Sequence, residues 1–190
     1  MAFPTFSPGD VLNASDMNAV GLWLLTTNTF TTTTGFNLPD NSFTSAYQNY
    51  RLMVKITATA VDADFTGRMR ASGVNLTTGY ASAAIGNNNT SPGTASNVGD
   101  SAATAWQLGQ QDVNANFQIY TLSMDFYSPQ LAAITSGFMQ YQFTDKAATA
   151  FFYRHGGFTL DSNTNVYDSF AFISTQNVTG RYWLYGYRGA

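Results

Sequence analysis

The chain contains no glutamate and only two lysines: its eleven acidic residues are all aspartate, and six of its eight basic residues are arginine. That shortage constrains the fold more than any motif does. Solvent-facing helices are usually built from Glu, Lys, Gln and Ala. Here the polarity comes instead from Ser, Thr, Asn and Gln, and Ser and Asn compete with helical backbone bonding through their own side chains. Fifteen Phe, eleven Tyr and abundant Thr suit a pleated surface. The composition therefore predicts an all-β domain. A length of 190 residues accommodates one domain, or one domain with an arm, with about two-thirds to 70% of the unfolded surface buried.

The same composition removes several function classes. With no cysteine and one histidine, the chain has no disulfide framework, no thiolate nucleophile, and neither a thiolate nor a multi-histidine metal site. A net charge of −3 and a pI near 4.7 argue against nucleic acid as a partner, because that needs a basic footprint. No apolar run reaches the length of a membrane span. The first ten residues have neither the basic nor the apolar region of a secretory signal. Neither a metal nor a cofactor is expected, and the chain does not read as an enzyme.

Residues 1–25 differ from the remainder and read as an N-terminal arm. Phe3, Phe6, Val11 and Leu12 are interspersed with Pro4, Pro8 and Gly9, which prevents a helix over the first ten positions. Ser15 is suited to an N-cap, Asp16 to the positive end of a short helix carrying Met17, and Gly21 to its end. Two turns of helix are marginal alone, so the arm needs a surface. Phe3, Phe6, Val11, Leu12 and Met17 are its candidate docking residues.

Residues 26–190 read as a β-sandwich or jelly roll of about eight to ten short strands. The Thr-rich run 26–34 suits an exposed or edge strand. Leu52, Val54 and Ile56 alternate with Arg51, Met53, Lys55 and Thr57, giving one buried and one outward face. Another strand is expected to begin over 68–71. Residues 72–105 read as a long polar loop with one short strand near Tyr80 and Ile85, and a loop of that length is usually functional or covered. Tyr120, Leu122, Met124 and Phe126 line one strand face, and Met139, Tyr141 and Phe143 the next. Gly156-Gly157 is expected to form a hairpin or bulge, and residues 177–180 to link the last two strands.

Candidate chemistry is sparse. Asp62-Ala-Asp-Phe-Thr-Gly67 has the opening of a calcium loop but places Gly73 where a bidentate acid is needed. Asp161-Ser-Asn-Thr-Asn165 has the oxygen spacing without the closing acid. His155 lacks a nucleophile elbow and reads as a surface turn residue. The scattered aspartates form no identifiable pair. Trp23, Trp106 and Trp183 raise the option of sugar stacking, weighed against filling a core or interface. Trp106, beside the long loop, is the leading candidate for glycan contact, together with Tyr80.

Two segments resemble bacteriophage virion proteins. Phe6-Ser-Pro-Gly-Asp-Val-Leu-Asn-Ala-Ser-Asp-Met-Asn18 is similar to an N-terminal motif of phage fibre and minor structural proteins. The ending, Tyr167-Asp-Ser-Phe-Ala-Phe-Ile-Ser174 through Gly180 to Leu184-Tyr-Gly-Tyr-Arg188, is similar to the closing strands of small phage β-sandwich proteins. Tyr47-Gln-Asn-Tyr-Arg-Leu52 resembles an early strand of the same group. The resemblance implies a sandwich with an attachment arm, commonly a homotrimer, located in the virion and bound to a major capsid or tail protein. It supplies no catalytic residue. On this basis the expected function is capsid decoration or cement. The alternatives are a short tail or head fibre protein that binds host-surface glycans, and a free carbohydrate-binding module.

Overall fold

The computed structural model describes residues 21–59, 63–88, 96–109, 117–145, 151–161 and 165–187. Every regular element among them is a β-strand: β1 (Trp23–Asn37), β2 (Asn49–Thr59), β3 (Phe65–Ala71), β4 (Val74–Asn75), β5 (Tyr80–Asn88), β6 (Ser96–Ala103), β7 (Trp106–Gly109), β8 (Phe117–Tyr127), β9 (Thr135–Asp145), β10 (Phe151–Leu160) and β11 (Ser169–Tyr187). The all-β expectation holds. The helix expected after Ser15 lies outside the described residues. β1 already starts at Trp23, so the expected arm boundary at residue 25 falls inside the first strand.

The strands form one curled antiparallel sheet in the order β4-β3-β11-β2-β8-β9-β10-β5-β6, with β1 paired to β11 and β7 paired to β3. The 19-residue β11 makes the curl possible. Its first part, from Ser169 to Ser174, pairs with β3. Its second, from Val178 to Tyr187, pairs with β2. β1 runs along the other side of both parts as an edge strand. Three register shifts interrupt that pairing, and such irregularities blunt an edge against further strand addition.

Curling brings β3, β7 and the start of β11 over the inner face of β8, β9 and β10, so the sheet packs on itself as a sandwich. Phe65 of β3 lies 4.5 Å from Tyr120 of β8, ring centre to ring centre, and Phe126 of β8 lies 5.2 Å from Phe170 of β11. The inner rungs follow the alternation legible in the sequence. Leu52, Met124 and Met139 stand side by side, as do Val54, Leu122 and Tyr141, and all six are buried. Each apolar side chain so buried contributes about 1.5–3 kcal/mol.

Four local expectations are corrected. Residues 72–105 are not one long loop: they hold β4 and the paired strands β5 and β6. Their low hydrophobicity reflects tight packing. The inward positions of β5 beyond Tyr80 are Ser82, Ala84 and Gly86, and a Cβ on Gly86 would lie 2.0 Å from the carbonyl oxygen of Tyr153. Gly156-Gly157 makes no turn, because β10 runs unbroken from Phe151 to Leu160. Residues 177–180 do not link two strands either. β11 continues through them with a register shift between Thr179 and Gly180, where a Cβ would meet the Lys55 carbonyl oxygen at 2.3 Å and the Phe30 ring at 2.8 Å. Gly86, Gly156 and Gly180 serve close approach between strands, which in sequence looks the same as a turn signal. Likewise, residues 68–71 end strand β3 and do not begin it.

Arg70 ties β3 to the turn that follows β1 and to the turn before β4. It is buried, and its guanidinium donates to the carbonyl oxygens of Leu38 (3.3 Å) and Gly73 (2.7 Å) and to Asp40 Oδ1 (3.0 Å).

Candidate functional site

The outward face of β11, β2, β8, β9 and β10 is built from the residues that alternate with the core. Strand register sets them in three rungs. One runs Arg181, Lys55, Thr121, Gln142, Tyr153. The next runs Trp183, Met53, Ser123, Gln140, His155, and the third Tyr185, Arg51, Asp125, Phe138, Gly157. None of these positions would be recognised as neighbours from sequence distance, since each rung draws on five separate strands.

The first two rungs form a slot. Thr121 and Ser123 are the short side chains on β8, while the strands on either side carry long ones. The resulting hollow, about 350 Å³, is lined by Trp183, Met53 and Lys55 on one wall and Gln140 and Gln142 on the other. The two wall strands are next-but-one neighbours, so their backbones stand about 10 Å apart. A second hollow of about 430 Å³ adjoins the first across Lys55 and Trp183, and includes Thr29, Thr57 and Arg181. Arg181 is held there: its Nε donates to Thr27 Oγ1 at 3.1 Å, and its guanidinium carbon lies 5.2 Å from the centre of the Trp183 ring, within cation–π range. Beyond the amide wall, His155 sits 5.6 Å from the Tyr153 ring and 6.4 Å from Phe138.

The third rung is different in kind. Arg51 and Asp125 form a two-pronged ion pair, Nε to Oδ1 and Nη2 to Oδ2, both at 2.8 Å. The carboxylate bond raises the Arg51 pKa above its usual value. Beside the pair, Tyr187 is pushed up to about 12, first by burial and then by the negative charge of Asp125. Gly21, Leu22 and Tyr127 share this corner, so the first of the described residues reach the sandwich here.

The structure redistributes the residues singled out from sequence. Trp106 and Tyr80, expected at a glycan face, are both 0% exposed. Trp106 is packed between Phe158, 4.4 Å away, and Tyr80, 5.1 Å away and edge-on, so neither ring has a free face to offer a sugar. The reason is the strand order: β7 pairs with β3 and turns its large side chains into the sandwich. Trp23 leans on Tyr47 at 5.9 Å. Trp183 is the one tryptophan in the slot. His155 is exposed as expected, but in mid-strand and not in a turn. Of the two calcium-like runs, Asp62 and residues 162–164 lie outside the described residues. Among the described residues no group of three or more acids or histidines is placed to hold a metal. Phe3, Phe6, Val11, Leu12 and Met17 also lie outside the described residues. Thr121, Ser123, Gln140 and Gln142 were missed. The available signal was their alternation with the buried residues of β8 and β9, which marks them as outward without saying what they face.

A solved structure similar to this chain is galectin LEC-6 of Caenorhabditis elegans. It is 21% identical over 83% of this chain and 95% of the galectin, with a TM-score of 0.37. No protein-family model and no curated protein sequence matches.

Proposed function

We propose that the chain is a non-catalytic structural protein of a bacteriophage virion, a jelly-roll-like sandwich attached by its N-terminal arm, most specifically as a capsid decoration or cement protein. The observation that carries this reading is where the resembling segments meet. Asn49–Leu52 of the early segment pair antiparallel with Leu184–Tyr187 of the closing segment. The Tyr47 ring lies over Gly186, where a Cβ would come within 2.6 Å of it. The first described residues, Gly21 and Leu22, lie at the same end, beside Arg51, Tyr127 and Tyr187. Leu22 (49% exposed), Leu24 (53%) and Tyr127 (41%) leave apolar surface there.

One arm binds weakly on its own, because ordering it costs about 1–2 kcal/mol per residue of backbone entropy. Three arms on a homotrimer gain through effective concentration, about 10²–10⁴-fold, so assembly and attachment are coupled in this reading. The polar slot favours one alternative, a short tail or head fibre protein that contacts host glycans. The test is deletion of residues 1–20 in the parent phage, scored by the amount of protein retained on purified particles. Loss from the particle supports arm docking, and unchanged retention overturns it. Protein-free particles that burst under milder osmotic shock place it as cement. Particles of normal strength that fail to adsorb to cells place it as a fibre.

A further inference from the structure

We propose that the slot over β8 binds an acidic oligosaccharide, with a sugar ring on Trp183 and its anionic substituent at Lys55 and Arg181. This rests on the slot itself and not on the virion reading.

The dimensions come first. Because β8 carries short outward side chains between the longer ones of β2 and β9, the slot is one strand wide, about 10 Å between the flanking backbones. Its 350 Å³ lies at the lower end of small-ligand sites. A pyranose ring on edge fits such a slot, and a helix does not.

The lining then selects the chemistry. The half-buried indole of Trp183 and the thioether of Met53 make an apolar wall for the C–H face of a sugar. Gln140 and Gln142 on the facing wall bring two amides, and Thr121 and Ser123 on the floor bring two hydroxyls. These groups both donate and accept, as a polyhydroxylated ligand requires. Among the described residues no carboxylate lines either hollow, so no opposite charge there favours a cationic ligand over an anionic one. Lys55 and Arg181 are direct cross-strand neighbours, and two exposed like charges side by side disfavour each other. An anionic substituent between them relieves that repulsion. Since Lys55 and Trp183 line both hollows, a chain longer than one sugar can run from the slot towards Thr29.

The experiment applies the full-length protein to an array of neutral, uronate-containing and phosphorylated hexose oligomers, then titrates the best ligand in solution. Binding of an acidic class is expected, weakened at least tenfold in Trp183→Ala and in the surface pair Gln140→Ala/Gln142→Ala. Lys55→Ala should abolish the preference for acidic over neutral oligomers. Tyr127→Ala, at the other end of the same face, should bind as wild type. Far-UV circular dichroism confirms that each variant is folded, and the glutamine pair keeps the test valid should Trp183→Ala fail to fold. The proposal is overturned by no binding to any sugar, by binding that survives both slot variants, or by equal binding of neutral and acidic oligomers. Particle retention of the arm-deleted protein is scored separately, so failure of the slot and failure of arm docking are distinguishable.

Discussion

The indole Nε1–H of Trp106 donates to the backbone carbonyl oxygen of Thr159 at 2.7 Å, which ties β7 to β10 through the interior of the sandwich. The ring around that bond touches both layers, with Phe158 at 4.4 Å, Phe126 at 6.2 Å and Phe170 at 6.4 Å. A residue so placed acts on stability and not on ligand contact.

Trp106→Ala is expected to cost about 3–5 kcal/mol through lost burial and the cavity left behind. Trp106→Phe keeps much of the packing but removes the donor to Thr159, for about 1–3 kcal/mol. Urea unfolding followed by circular dichroism measures both. A wild-type midpoint for the alanine variant would contradict the buried placement.

Adjacent glycines on β10 should respond in opposite directions. A Cβ at Gly156 would lie 2.0 Å from the Ala83 carbonyl oxygen and 2.6 Å from the Ala84 Cα, both backbone atoms of the neighbouring strand. Gly156→Ala therefore forces β5 and β10 apart, at about 1–3 kcal/mol or more. At Gly157, on the outward face, the nearest atom would be the Gly137 carbonyl oxygen at an ordinary 3.6 Å. Gly157→Ala should be neutral or stabilise by about 0.4–1 kcal/mol through the unfolded chain. Thermal melts of the two single variants decide this, and equal melting temperatures would refute it.

Alkaline pH should unfold the protein through its tyrosines. Burial raises the phenol pKa of Tyr120, Tyr80, Tyr141, Tyr50 and Tyr182, and that of Tyr187 to about 12. Below pH 10 these groups are protonated in both folded and unfolded chains, and their contribution to stability is complete. Above pH 10 the unfolded chain releases protons that the folded chain retains, so stability falls as pH rises towards the folded-state values. Phenolate absorbance and far-UV circular dichroism recorded together from pH 8 to 13 should show part of the phenolate signal arriving only with loss of the sheet. Complete tyrosine ionisation by pH 11 in a still-folded protein would contradict this.

How far each of these sites could be seen in the sequence differs for a physical reason. The inward rows of β2, β8 and β9 were legible because a strand alternates every second residue, so Leu52, Val54 and Ile56 declare a buried face by themselves. The glycines were misread because Gly156, Gly157 and Gly180 carry the same local signal whether a chain turns or a neighbouring backbone passes close. Trp106 was misread because a large ring among polar residues suits an exposed platform and a core equally well. The side of the sheet it occupies depends on the pairing of β7 with β3.

By itself the sequence determined the class of fold: without glutamate, nearly without lysine, and rich in Thr, Tyr and Phe, it supports strands and gives little to a solvent-facing helix. It also determined which side chains on each strand share a face, because that period is local. Strand pairing, by contrast, put Lys55, Thr121, Gln142 and Arg181 on one rung, Trp183 in the slot and Trp106 in the core. Such placements depend on the register between strands distant along the chain, which the burial of the whole inner face selects and no local pattern encodes.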